Sequence, residues 1–234
     1  MAMTKSISGG FSGSTLKILA MIFMVVDHTA ASVIGRGYFG TVDPSGVWEA
    51  VYWIMRGIGR LAFPIFCFLL VEGVYHTRSM RNYFLRLLVF ALASEIPFDL
   101  ALNGEAFYWG YQNVFWTLAL GVLALWLMGK TKQRIYQYLI LIACMVVAQL
   151  LQTDYSAFGV FFIWLLWYFR NKKEWKRNLV GCVAVCWEVT APLAFIPIHF
   201  YNGERGLDVK YVFYLFYPVH LLLLGFITYG LFGV

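Results

Sequence analysis

An all-α, polytopic membrane helix bundle of about eight transmembrane helices is the fold this sequence predicts, and three observations lead to it. Of 234 residues, 61% are hydrophobic and only 13% charged, with a mean hydropathy of +0.70, whereas a soluble domain carries roughly 25% charge. Apolar runs of bilayer-crossing length recur along the whole chain. The alternation of a membrane barrel is missing from them, so the spans are helices, the remaining arrangement that satisfies its own backbone in hydrocarbon.

Residues 1–14 are polar and rich in Gly and Ser, which predicts a short flexible or interfacial tail, with Ser14 or Thr15 placed to cap the first helix. A single transmembrane domain, 15–234, follows. Its spans fall at 15–34, 51–76, 80–102, 112–129, 134–152, 156–170, 175–199 and 210–232. Gly57, Gly59 and Pro64 let the second bend or begin as an interfacial segment, so seven or nine crossings are the alternatives. Cys67, Cys144, Cys182 and Cys186 all fall within these spans and read as small buried hydrophobes.

The loop charges orient the bundle. With the N-terminus inside, the cytoplasmic ends collect Lys5, Lys17, Arg78, Arg81, Arg86, Lys130, Lys132, Arg134, Arg170, Lys172, Lys173, Lys176 and Arg177. The outer side keeps only Arg36, Arg205 and Lys210, beside Asp43, Glu49, Glu105, Asp154, Glu204 and Asp208. Both termini are therefore expected in the cytoplasm and the loop 200–209 outside. The net charge of +6 is spent on topology and on contact with the lipid bilayer, which leaves no reason to expect nucleic acid.

An ionisable residue inside an apolar span costs a few kcal/mol or more, so each one is a functional-site candidate by default. Asp27 and His28 lie in the first span, eleven residues or about three helical turns beyond Lys17. Lys17 and His28 thus share one face, separated by about 16 Å along the axis. Tight turns between antiparallel helices set further depths. Glu72 is level with Arg86, Arg60 with the interval from Glu95 to Asp99, Glu188 with His220, and Glu95 and Asp99 with Asn113 and Thr117. Adjacent helical residues project about 100° apart, so Asp27 is expected to pair with Arg60 while His28 faces the interior cavity. Pro218 can kink the last span and aim Tyr217 and His220 inward. Against all of this stands the plain alternative that buried charges pair to lock helices together.

Several stretches taken together resemble the TraX family, integral-membrane proteins named for the conjugative pilin acetylase. They are Gly13-Ser14-Thr15-Leu16-Lys17 leading to Asp27-His28; Arg60-Leu61-Ala62-Phe63-Pro64 leading to Glu72-Gly73; Tyr83 to Arg86 leading to Ser94-Glu95-Ile96-Pro97; Asn113-Val114-Phe115; and Tyr201-Asn202-Gly203 leading to Tyr217-Pro218 and His220. The spacing from Lys17 to His28 is also similar to the signature of a broader group of transmembrane acyltransferases. The resemblance implies a multi-pass protein of the bacterial plasma membrane that moves an acetyl group from cytoplasmic acetyl-CoA to an amine or hydroxyl acceptor. That acceptor is a peptide N-terminus, a glycan or a lipid head group.

On this reading the inner cations Lys17, Arg81 and Arg86, with Glu72 beside them, face the coenzyme A phosphates. His28 serves as general base or acyl carrier, and Asp27, Arg60, Glu95, Asn113, Tyr217 and His220 complete the catalytic set, some of them as oxyanion donors. No metal is expected. A proton-coupled permease and a non-enzymatic assembly factor are the competing classes, the first because buried carboxylates and histidines also make relays.

Overall fold

Three helical runs, Gly13–Thr41, Val47–His76 and Val212–Phe232, are long and apolar enough to cross a membrane, and Val114–Met128, Arg134–Leu150 and Ser156–Phe169 are shorter apolar helices. The structure is a computed structural model that describes residues 10–42, 46–207 and 210–234. Lys5, Asp43, Asp208 and the side chain of Lys210, all counted among the loop charges, lie outside the described residues. The architecture is that of a helical membrane protein, and its surface agrees: Ile18 and Ile22 on the first helix are 44% and 54% exposed, which suits contact with lipid rather than water. The chain divides into two compact units, Met1–Phe66 with Ile96–Phe107 and Asn171–Val234, and Cys67–Glu95 with Tyr108–Arg170.

In the first unit α1 (Gly13–Thr29) continues without a break through a π-helical stretch (Ala30–Tyr38) into the single turn α2 (Phe39–Thr41). Ser12 caps α1, its hydroxyl accepting from the Thr15 N–H, two residues earlier than the sequence suggested. Leu16, Ala20, Met24 and His28 are buried at intervals of four, the inward stripe of the helix. α3 (Val47–Gly59) and α4 (Ala62–His76) are one run interrupted at Arg60 and Leu61, close to the expected bend. Most of α4 from Cys67 on, and α5 (Met80–Leu102) as far as Glu95, belong to the second unit; α5 carries Arg81, Arg86, Glu95 and Asp99, too many charges to rank among the apolar runs.

The expected seventh span, 175–199, is not one helix. α9 (Glu174–Ala184) ends early, a turn at Ala191–Ala194 follows, and α10 (Phe195–His199) is five residues long. Pro192 opens the turn at Ala191–Ala194 and Pro197 lies within α10, so both limit how far these short pieces extend, whereas α9 ends at Ala184, eight residues before the first of them. Cys186 sits in the gap and is exposed, contrary to expectation, whereas Cys67 and Cys144 are buried.

The N-terminal segment is hydrogen-bonded along the loop before α11 (Lys210–Phe232): Phe11 N–H to the Phe200 carbonyl at 2.7 Å, Gly13 N–H to Glu204 at 2.8 Å and Ser14 N–H to Arg205 at 3.0 Å. Residues 10–14 are therefore fixed to the loop 200–207. Further along, Ser32 and Thr228 share a hydrogen bond of 2.8 Å, and a Cβ on Gly37 would meet the Phe232 ring at 2.5 Å. Contacts that advance together along both helices make α1 and α11 parallel. The expectation that the N-terminus and loop 200–209 lie on opposite faces, with both termini on one, is corrected: the described N-terminal residues and residues 200–207 share one end of the unit, and Phe232 lies at the other.

The second unit is built on α6 (Val114–Met128), α7 (Arg134–Leu150) and α8 (Ser156–Phe169). Their core includes Leu120, Ala124, Met128, Leu141, Cys144, Ala148 and Val160. Small residues let helices approach closely, and at Gly121 a Cβ would stand 2.5 Å from Ile163. Asn113 caps α6 with Oδ1 on the Phe115 N–H at 3.0 Å, and Thr117 donates to the Asp154 carbonyl.

Candidate functional site

The first unit gathers Lys17, Asp27, His28, Arg60, Tyr217 and His220. His28 Nδ1 lies 2.7 Å from His220 Nε2, and the two rings stack with centroids 5.0 Å apart and planes 11° from parallel. Tyr217 meets both imidazoles edge-on at 5.8 and 5.6 Å. All three are buried, His28 at 8%, His220 at 7% and Tyr217 at 3% exposure, so His28 packs against α11 rather than facing an open cavity. The other nitrogen of His220, Nδ1, is 2.8 Å from the Phe216 carbonyl one turn back.

Lys17 follows the same face. Its ammonium stands 5.1 Å over the Phe213 ring, so Lys17 and His28 both meet α11, at Phe213 and at Tyr217 and His220. The expected shared face is real, and α11 is what it faces.

Asp27 projects toward α3, as a step of about 100° from His28 requires. Its partner is Arg56 at 2.8 Å, one turn before the expected Arg60, and Arg60 Nε instead reaches Glu188 at 3.4 Å. The second carboxylate oxygen of Asp27 is buried and without a hydrogen bond. Gly59 accounts for the close approach of the two helices, because a Cβ there would fall 2.1 Å from the Asp27 side chain. Thr190 ties the broken segment to α3 through a hydrogen bond of 2.6 Å to the Gly57 carbonyl. Arg56 was not singled out from the sequence; the available signal was its place one turn from Arg60 on the same face.

At the end of the unit away from Lys17 a cleft of about 440 Å³ is lined by Gly35, Arg36, Phe39, Glu49, Tyr52 and Trp53, among others. The Arg36 Nε is buried without a hydrogen bond, and Gly104, at φ +76°, leaves room for its guanidinium, since a Cβ would lie 2.6 Å from Nη1.

The remaining candidates lie in the second unit. Asn113 donates to the Ala91 carbonyl at 2.8 Å and to Glu95, and Trp116 also donates to Glu95 at 2.8 Å. With both amide hydrogens and the carbonyl engaged, Asn113 acts as a cap and clamp. Glu72 is held by Arg170, at 2.9 and 3.3 Å, and not by Arg86 as its depth suggested. The Arg170 guanidinium also lies 3.5 Å from the centre of the Tyr75 ring. Arg86 lies over Tyr83 with its Nε buried and without a hydrogen bond, and Arg81 is exposed near the start of α5.

Fold and site together define a helical membrane protein whose first unit buries a hydrogen-bonded pair of histidines between two parallel helices. The chain belongs to the TraX family: the family model described as TraX protein matches residues 12–228. A relative named "Probable fimbrial assembly protein FimC, serogroup H1", from Dichelobacter nodosus, is 30% identical over 243 residues, covering 92% of this chain and 94% of its own length. No solved structure matches the chain.

Proposed function

We propose that this TraX-family protein is a multi-pass acetyltransferase of the bacterial plasma membrane, moving an acetyl group from acetyl-CoA to an amine or hydroxyl acceptor. The observation that carries this reading is the buried pair of His28 and His220 on the helix face that Lys17 opens. In the reaction an acceptor X–H attacks the thioester carbonyl and the carbon–sulfur bond breaks. His28 takes the acceptor's proton and returns it to the leaving thiolate.

The donor is placed at the Lys17 end, and that end is assigned to the cytoplasm. Because residues 10–14 and 200–207 lie together, Arg205 and Lys210 join the cytoplasmic cations, and Arg36 is left as the basic residue of the outer set. The revised topology thus obeys the positive-inside rule better than the one read from hydropathy. It requires an odd number of crossings, with 174–199 not among them. The acceptor is placed at the far end, where the cleft offers a guanidinium, a carboxylate and three aromatic rings. A peptide amine, a glycan hydroxyl and a lipid head group are all compatible with that lining.

The test is release of free CoA thiol by purified protein in nanodiscs, given acetyl-CoA and a panel of amine and hydroxyl acceptors. Acceptor-dependent release supports the reading, and its absence across the panel overturns it. The name of the Dichelobacter nodosus relative favours a second reading, a fimbrial assembly protein without catalysis. A cellular phenotype that survives His28→Ala would select it.

A further inference from the structure

The hydrogen bonds around the histidine pair fix which nitrogen of each ring carries a proton. The Phe216 carbonyl can only accept, so the His220 Nδ1 at 2.8 Å from it must donate. In an uncharged ring the other nitrogen, Nε2, then carries a lone pair. The His28 Nδ1 lies 2.7 Å from that Nε2, so His28 in turn is the donor. One nitrogen is left over, the Nε2 of His28, and it carries a lone pair.

We propose that His220 is a positioning residue: oriented by the Phe216 carbonyl, it holds His28 in the Nδ1–H tautomer and so keeps the His28 Nε2 ready as the base that meets the acceptor. Orientation and tautomer are set together, because the stacked rings and the edge of Tyr217 hold both planes. The same chain gives the proton somewhere to go. When the His28 Nε2 takes the proton of X–H, the proton on its Nδ1 can pass to the His220 Nε2. The positive charge then rests on His220, whose Nδ1–H already points at a carbonyl. Reversing that transfer lets the His28 Nε2 return a proton to the thiolate once the carbon–sulfur bond has broken, so the pair ends as it began. No oxidant, metal or further reactant is needed.

The consequence for turnover rests on the acetyl-transfer reading, but the tautomers do not, and the experiment keeps the two apart. The chain has four histidines, so nitrogen NMR of ¹⁵N-histidine-labelled protein can be assigned by single replacement. The proposal expects both His28 and His220 as Nδ1–H, the reverse of the preference of a free histidine side chain. His220→Leu removes the acceptor and should return His28 to Nε2–H, with turnover down at least ~10²-fold, the low end of positioned acid–base catalysis, and the Michaelis constant for acetyl-CoA unchanged. His220→Gln keeps an acceptor at the same reach and should restore the Nδ1–H form of His28 and the part of the turnover that depends on orientation, though an amide cannot take up the proton. An Nε2–H signal for His28 in the parent protein overturns the proposal even if His220→Leu fails to fold. So does a folded His220→Leu protein with parental turnover, or a His220→Gln protein no better than it. A parent that shows the expected tautomers but releases no CoA retires the acetyl-transfer reading and leaves the pair intact.

Discussion

Asp27 Oδ2 and Arg56 Nη1 lie 2.8 Å apart between α1 and α3, and the residue after Asp27 is the histidine that faces α11. One turn of α1 thus anchors two neighbours at once, by an ion pair on one side and by imidazole stacking on the other. Removing one member of a mostly buried pair strands the other charge, at a cost of about 3–5 kcal/mol. Asp27→Asn and Arg56→Ala should each lower the thermal midpoint in detergent, and the double variant should recover part of the loss. A melting temperature unmoved by either single change would reduce this pair to a surface contact.

Gly59 is the residue that lets Asp27 and Arg56 meet. A Cβ at Gly59 would lie 2.1 Å from Asp27, whereas one at Gly57 would lie 3.4 Å from the Thr190 side chain, an ordinary contact. Gly59→Ala should therefore destabilise the protein by about 1–3 kcal/mol, the usual cost of overfilling a packed site. Gly57→Ala, on the same helix, should be close to neutral. Equal melting of the two variants would contradict the close approach at Gly59.

In the second unit Arg170, and not Arg86, is the partner of Glu72. Arg170→Ala should leave a carboxylate that is 13% exposed with His76, 4.0 Å away, in place of a two-point guanidinium, and lower the melting temperature. Arg86→Ala should leave it nearly unchanged. Thermal melting of the two variants side by side decides the pairing, and a larger loss at Arg86 would restore the assignment that depth alone suggested.

Sidedness is open to a chemical test. With Cys67, Cys144, Cys182 and Cys186 replaced, single cysteines at Gly10 and Leu207 should react with a membrane-impermeant maleimide only after permeabilisation, and one at Val234 should react in intact cells. Gly10 and Leu207 labelling from opposite sides would be incompatible with the hydrogen bonds that join residues 11–14 to the loop 200–207.

How much of this was legible in the chain follows from what sequence patterns measure. The burial of Leu16, Ala20, Met24 and His28 repeats every four residues, so the inward face of α1 and the divergence of Asp27 from it could be read directly. Arg56 and Arg60 lie one turn apart on one face, and only the packing register of α1 against α3 decides which of them meets Asp27. Residues 175–199 look like a span because a hydropathy window averages over the stretch after Ala184 and does not register a broken backbone. A helix counted straight through that break reverses the end assigned to everything after it, which is why loop 200–209 was expected away from the N-terminal segment it is bonded to. Arg170 lies 98 residues from Glu72, and depth pairing about a tight turn ranks only sequence neighbours. The His28 to His220 bond spans 192 residues; both histidines were visible as candidates, but their meeting depends on the packing register of α1 against α11, which no sequence pattern records.

The final prediction separates the two ends of the Lys17 to His28 face. If Lys17 meets the donor's phosphates and His28 the reacting atoms, their removal should change different kinetic constants. Lys17→Ala deletes a charge that acts equally on bound donor and transition state, so it should raise the apparent Michaelis constant for acetyl-CoA with little change in kcat, and added salt should weaken donor binding in the parent. His28→Ala deletes a group engaged during proton transfer, so it should leave acetyl-CoA binding intact and lower kcat by ~10²-fold or more. Thermal melting of each variant accompanies the kinetics, because His28→Ala empties a buried site stacked on His220 and edged by Tyr217 and is expected to melt below the parent while still folding. Titration of acetyl-CoA against each purified variant, with thiol release measured on the same samples, supplies both constants. A His28→Ala protein that is folded, binds donor and turns over at the parental rate would return the histidine pair to a packing role. A Lys17→Ala protein with unchanged donor affinity would move the donor site to other cations.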